Sequence, residues 1–273
     1  MKPFSTLLLF FSFLLLGCDS KNNSQKTNKL TSEIKETKET AIVKYDQPYK
    51  ITPISHATAI IEYNGKNIYI DPVGGIEAFK NFKNANAVFI THTHPDHLSA
   101  ETLEAIKSDE TIFVVPQTVA DALPENIKKN IKVMQNGEKG NVLGIPIQAV
   151  AMYNIREEAL KFHPKGAGNG YIFQLGQDRV YFSGDTEDTP EMRALKNIDK
   201  AFVCMNMPYT MTVEKAAEAV LAFGPKEVFP YHYRGKGGLS DVEKFKSLVE
   251  ASSSIKVTPV SYTHLTLPTT PYV

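Results

Sequence analysis

Ala87-Val88-Phe89-Ile90-Thr91-His92-Thr93-His94-Pro95-Asp96-His97 decides how this chain is read. Its first four residues form an apolar run of the kind that becomes a buried strand. The polar half reads His-x-His-x-Asp-His, four metal-binding side chains leaving a strand end within one short turn. Pro95 cannot continue the strand, and Ser99 ahead of Ala100-Glu101-Thr102-Leu103 marks a helix start. Chemistry accounts for the spacing. Neutral imidazole is the commonest metal ligand, and His92 and His94 can converge on one ion from a single turn. Asp96 and His97 point further along, to serve a second ion or to orient the water it binds.

On the N-terminal side, Ala59–Tyr63 and Lys66–Ile70 flank Asn64-Gly65, a strong hairpin signal, and the second strand delivers Asp71-Pro72 at its end. Tyr49–Ile54 reads as an edge strand, because Pro53 removes a ladder donor. On the C-terminal side, strands are expected at Thr111–Val115, Ile131–Met134, Ile145–Met152, Tyr171–Leu175, Val180–Ser183 and Glu227–Tyr231. A short helix is expected over Pro116–Leu123. Val213, Ala216, Ala217, Val220 and Leu221 recur at helical spacing. Ser240 and Glu243 read as a capping box ahead of Val242, Phe245, Leu248 and Val249. Hairpin-linked strands followed by strands alternating with helices give an α/β class.

A chain of 273 residues with 42% hydrophobic content can bury a sizeable core, and a formal net charge of zero implies no broad basic field, hence no nucleic-acid partner. The two cysteines suggest no disulfide framework. The first residues stand apart. Lys2 precedes an apolar run, Leu7–Leu16, too short for a membrane span, and the run ends Leu15-Leu16-Gly17-Cys18. Residues 19–46 are a polar tether with few large apolar side chains. Residues 261–273 show no periodicity and are set aside from the fold as a tail of artefactual character, His264 with them.

The motif at His92–His97 resembles the metallo-β-lactamase superfamily, where it marks a two-metal hydrolase site. That resemblance asks for three further landmarks, and each occurs at or beside an expected strand end. His163 lies in a Gly-rich loop, Ser183-Gly184-Asp185-Thr186 matches the family's Gly-Asp-Thr, and Tyr231-His232-Tyr233 matches its last histidine. Ser55-His56-Ala57-Thr58 and Asp71-Pro72 are similar to the branch containing ascorbate-phosphate lactonase and N-acylphosphatidylethanolamine phospholipase D. The resemblance covers residues 49–260, the expected hydrolase domain, and implies a four-layer αββα sandwich.

It further implies that His92, His94 and His163 hold one ion, that Asp96, His97 and His232 hold a second, and that Asp185 bridges them. The ions would be zinc first, with Mn or Fe compatible with the same donors. Asp96 would steer a metal-bound hydroxide onto an ester, lactone or phosphodiester, from a small-molecule or lipid-derived substrate. His56 and Asp71 would orient ligands, the other reading of His56 being a purely structural, hydrogen-bonded histidine. Lys165, Tyr209, Tyr233 and Arg234 are candidate substrate contacts. Cys204, in an apolar run, reads as a core residue rather than the metal-binding cysteine of penicillin-hydrolysing relatives. His94 departs from the oxygen-reducing di-iron relatives, which carry Glu there. Leu15–Cys18 resembles a bacterial lipoprotein signal. It implies a signal peptide over residues 1–17, lipidation of Cys18, a tether over residues 18–48, and an envelope protein anchored to a membrane and facing away from the cytoplasm. The runner-up function is a metal-bearing envelope binding protein without turnover. The sequence is silent on oligomeric state.

Overall fold

The computed structural model describes residues 48–260 and Tyr262; the expected signal, Cys18, nearly all of the tether and most of the tail lie outside them. Six strands come first: β1 (Lys50–Ser55), β2 (Thr58–Tyr63), β3 (Lys66–Ile70), β4 (Ala87–Phe89), β5 (Ile112–Val115) and β6 (Ile131–Val133). They lie side by side in chain order, antiparallel through β3 and parallel from there to β6. The Asn64-Gly65 turn joins β2 to β3 as expected, with both residues at positive φ. Two helices cover this sheet, α1 (Ala100–Ile106) and α2 (Gln117–Ala122). Ser99 caps α1 by accepting the Thr102 N–H.

The second sheet holds β7 (Lys139–Val142), β8 (Ile145–Met152), β9 (Gly168–Leu175), β10 (Asp178–Phe182), β11 (Lys200–Cys204), β12 (Glu227–Tyr231) and, after the two-residue hairpin strands β13 (Arg234–Gly235) and β14 (Gly238–Leu239), β15 (Lys256–Val257). The helices of this half are α3 (Pro190–Arg193), α4 (Val213–Phe223) and α5 (Val242–Glu250). The residue capping α5 is Asp241, which accepts the Lys244 N–H at 2.9 Å, and not the expected Ser240. Ser240 instead donates its hydroxyl to the Met205 carbonyl.

Period-two alternation sorts the side chains into layers. Ile68, Ile70, Ala87 and Phe89 face the second sheet, while Tyr69, Val88 and Ile90 pack with Leu103, Ile106 and Val119 of the first helix layer. Between the sheets, Phe89 meets Phe173 and Tyr171 at centroid distances of 4.7 and 5.1 Å, and the Tyr171 hydroxyl donates across the seam to the Ile90 carbonyl at 2.9 Å. On the far side, Tyr181 meets Phe223 of α4 edge-on. The four layers are helix, sheet, sheet, helix, the αββα arrangement. Cys204 is fully buried in β11, where burial pushes its thiol up to about 12, as suits a core residue.

Candidate metal centre

The ends of β3, β4, β8, β10 and β12 open onto one region at the seam between the sheets, the end of parallel strands where α/β folds place their ligands. Asp71 follows β3, His92–His97 follow β4, His163 lies in the loop between β8 and β9, Asp185 follows β10 and His232 follows β12. The backbone is strained there. His56, Asp71 and His232 all hold φ near +44°, a region that non-glycine residues rarely enter. Gly184 adds a tight approach: at φ +62° a Cβ would sit 2.6 Å from Met152 Sδ and 3.1 Å from the Thr91 side chain.

The seven expected ligands do come together. Three groups have donor atoms within 4.8 Å of one another: His92, His94 and His163; Asp96, His97 and His232; and His92, His97 and Asp185, which joins the first two. His94 Nδ1 lies 3.0 Å from His92 Nε2 and 3.3 Å from His163 Nε2. Across the site, His97 Nε2 lies 3.1 Å from His232 Nε2, and Asp96 Oδ2 lies 3.3 Å from the same His232 nitrogen. Asp185 spans both groups, with Oδ2 at 3.6 Å from His163 Nε2 and Oδ1 at 3.3 Å from His232 Nε2.

Two observations fit these residues to cations. A hydrogen bond uses two ring nitrogens at a time, whereas His92, His94 and His163 bring three to one point, which a tetrahedral ion can use together. Asp185 Oδ1 is buried without a hydrogen-bond partner, amid imidazole nitrogens. Charge agrees with geometry. Burial lowers His92 and His94 and takes His163 to about 4, so these rings stay neutral and ready to coordinate. At His97 and His232 burial is overcome by the carboxylates, Asp185 foremost, which hold His97 well above its usual value and His232 at about 9. Burial also opposes ionisation of Asp185 and Asp96, but the positive rings of His232 and His97 hold both carboxyls well below the usual range. A divalent cation supplies the same positive charge that these protons supply.

The expected supporting residues divide. Asp71 is fully buried; Oδ2 takes His97 Nδ1 at 2.8 Å and the Thr91 hydroxyl at 2.8 Å, and Oδ1 takes the Thr91 N–H at 2.7 Å. That contact orients His97. His56 packs edge-on against His232, with centroids 5.4 Å apart, and its carbonyl accepts the Tyr262 hydroxyl. The candidate substrate contacts divide as well. Lys165 is held by Glu191 at 2.9 Å, and the Tyr233 hydroxyl donates to the Val260 carbonyl. Tyr209 packs against Phe162, whereas Arg234 has no carboxylate within ion-pair distance among the described residues.

Three parts of the site are absent from the sequence reading. Thr91 Oγ1 lies 3.0 Å from His92 Nδ1 while it is bonded to Asp71. Buried Glu187 pairs with Arg156 at 2.6 Å. Asn206 sits beside Asp185 and His232. Each of the three lies just past a strand end, the position shared by the ligands themselves, and that was their only signal in the sequence.

Comparison with known proteins agrees with this geometry. A family model described as "Beta-lactamase superfamily domain" matches residues 50–232. A UPF0173 metal-dependent hydrolase of Pyrococcus abyssi is 29% identical over 218 residues, 76% of this chain and 95% of the relative. Its counterpart from Pyrobaculum islandicum is 30% identical over 224 residues, 74% and 92% of the two chains. Among solved structures, a Parabacteroides distasonis protein described as a metal-dependent hydrolase superposes with a TM-score of 0.71 at 35% identity, covering 78% of this chain and 93% of its own. With its sandwich fold and its convergent histidines and carboxylates, the chain belongs to the beta-lactamase superfamily and is a metal-dependent hydrolase.

Proposed function

We propose that this site works with two divalent transition-metal ions, zinc first and Mn or Fe as alternatives, to hydrolyse a lactone, ester or phosphodiester bearing an anionic group. The single observation that carries the reading is Asp185, which offers Oδ2 to the three-histidine group and Oδ1 to the group of Asp96, His97 and His232. When bound, two such ions supply Lewis acidity and lower the pKa of water. The chain's own residues do the rest. Asp71 and Thr91 hold His97 and His92 in their ligating orientations. Asp96 is the one ligand carboxylate with a partly exposed side chain, 36% against 4% for Asp185, so it is the group able to exchange a proton with solvent or substrate. Arg234 is close enough to act electrostatically on His56 and has no acidic partner of its own among the described residues, which suits it to a substrate phosphate or carboxylate. Lys165 and Tyr233 are committed to neighbours, and we give them no substrate role.

In substrate preference we place the chain with the ascorbate-phosphate lactonase and phospholipase D branch, on the strength of His56 and Asp71. We also propose a lipid anchor at Cys18 that holds the hydrolase on the outer side of a bacterial membrane. Among the described residues no helix is long and apolar enough to cross one. The deciding experiment is elemental analysis of the purified chain after metal supplementation, together with a panel of lactones, esters and phosphodiesters. Two ions per chain and turnover of anionic members are expected. One ion or none removes the dinuclear reading, and turnover restricted to neutral substrates removes the role given to Arg234.

A further inference from the structure

Asn206 follows β11, is only 2% exposed, and is no one's ligand. Its carboxamide Nδ2 lies 3.3 Å from Asp185 Oδ2 and 3.3 Å from His232 Nε2. At the other end, Oδ1 accepts the Thr210 hydroxyl at 2.5 Å, while Thr210 Oγ1 accepts the Asn206 backbone N–H at 2.9 Å. That backbone contact leaves the hydroxyl proton free to point at Oδ1. The flipped amide would set a carbonyl oxygen against the Asp185 carboxylate, so the orientation is fixed from both ends.

The loop that carries Asn206 is fastened to match. Every carbonyl from Met205 to Thr210 accepts a hydrogen bond. Met205 takes the Ser240 hydroxyl, and Met207 takes the Lys236 N–H at 3.0 Å. Pro208 and Thr210 take the Arg156 guanidinium at 3.0 and 2.7 Å, and Tyr209 takes Asn154 Nδ2 at 2.7 Å. Asn206's own carbonyl accepts from the Tyr209 and Thr210 N–H groups. Five of the six carbonyls are therefore tied to other parts of the chain, and Glu187 in turn holds Arg156. With Met205, Asn206 and Thr210 buried and the loop tied on several sides, the Asn206 side chain is held on a rigid support.

We propose that Asn206 is a positioning residue for Asp185. The terminal torsion of an aspartate is broad and roughly two-fold, so a carboxylate between two ligand groups has no intrinsic reason to divide its oxygens between them. The Asn206 N–H fixes Oδ2 and thereby turns the unpartnered Oδ1 toward His97 and His232. This inference rests on the two-ion reading above and adds to it the residue that keeps the shared carboxylate in its bridging orientation.

The test is a double-mutant cycle on the full chain, read as Zn2+ affinity by chelator competition, with no activity measurement needed. Asn206→Leu, close in volume but without a donor, is expected to weaken the less tightly held ion by about ten- to a hundredfold, the range for removing a partner of a metal ligand. In an Asp185→Asn background the same change should alter affinity by less than about threefold, because there is no carboxylate left to orient. Thr210→Val, which keeps the amide but frees it to flip, should weaken binding in the same direction by less, and it carries the cycle if Asn206→Leu does not fold. Wild-type affinity in both variants, or equal losses in the two backgrounds, overturns the inference. A wild-type chain that binds a single ion overturns the two-ion reading separately, and the same cycle on that ion still decides whether Asn206 acts through Asp185.

Discussion

Asp185 and Arg234 show how far a single residue can be read. Asp185 is buried among positive rings, and in the proposed two-ion site its carboxylate would offset repulsion between the cations. Asp185→Asn is therefore expected to abolish hydrolysis and to lower the occupancy of both ions, as measured by elemental analysis; full metal content in that variant would show that the ions are held in another way. Arg234→Ala should leave metal content unchanged and raise KM for phosphorylated substrates by about tenfold more than for neutral ones. Equal effects on the two classes would assign Arg234 to structure. The residues that come together as candidate ligands were legible in the sequence because metals demand particular side chains, and His92 to His97 crowd four of them into one turn. Asn206 and Thr91 were not legible. An amide or hydroxyl is common at any strand end, and only the folded neighbourhood gives these two a direction.

At the scale of elements, sequence periodicity found most of the longer strands and helices, because burial on one face writes itself at period two or 3.6. It missed β7 and the five-residue β11, whose continuous apolar run carries no alternation. Strand β8 and the apolar face of α4 stand where that pattern puts them. The short pieces escaped. Strands β13 and β14 are two residues each, and they exist because the hairpin lies on the loop after β11, so closely that a Cβ on Gly235 would overlap the Met207 carbonyl. The cap of α5 moved by one residue for a similar reason: the Ser240 hydroxyl is drawn to Met205, and Asp241 takes its place. The turn after β10 makes the sharpest demand. Gly184→Ala would meet both a left-handed backbone and Met152 Sδ, so it should cost about 2 kcal/mol or more and displace Asp185. A fall in Tm accompanied by lost metal is expected. Unchanged metal binding would mean that the turn yields without moving the carboxylate.

For the whole molecule, stability and metal are linked through histidines shifted in opposite directions. His232 is raised from 6.5 to about 9, so its contribution is complete below pH 6.5 and is lost as pH rises through 9. His56 and His163 are lowered from 6.5 to about 4, so theirs is complete above pH 6.5 and is lost as pH falls through 4. In chelator, Tm should peak near pH 6.5 and decline on both sides. Saturating Zn2+ should remove the alkaline decline, since a cation then stands where the protons stood. A Tm in chelator that climbs steadily to pH 9 would contradict the charge assignment. The N-terminal stretch makes a separate prediction. Cys18→Ser should move the protein from the membrane to the soluble fraction, and unchanged fractionation would rule the anchor out.

The two sheets are consecutive in the chain: everything up to β6 builds one, and everything from β7 onward builds the other. Asp71, His92, His94, Asp96 and His97 belong to the first stretch, and His163, Asp185 and His232 to the second. Neither half-chain owns either triad of donors. An ion seated here would act as a rivet through two plates, tying the turn after β4 to a loop of the other half. Stripping the ion should loosen the loops at that one end of the seam, read as faster hydrogen exchange there, while the apolar core shared by the two sheets and both ladders stay closed.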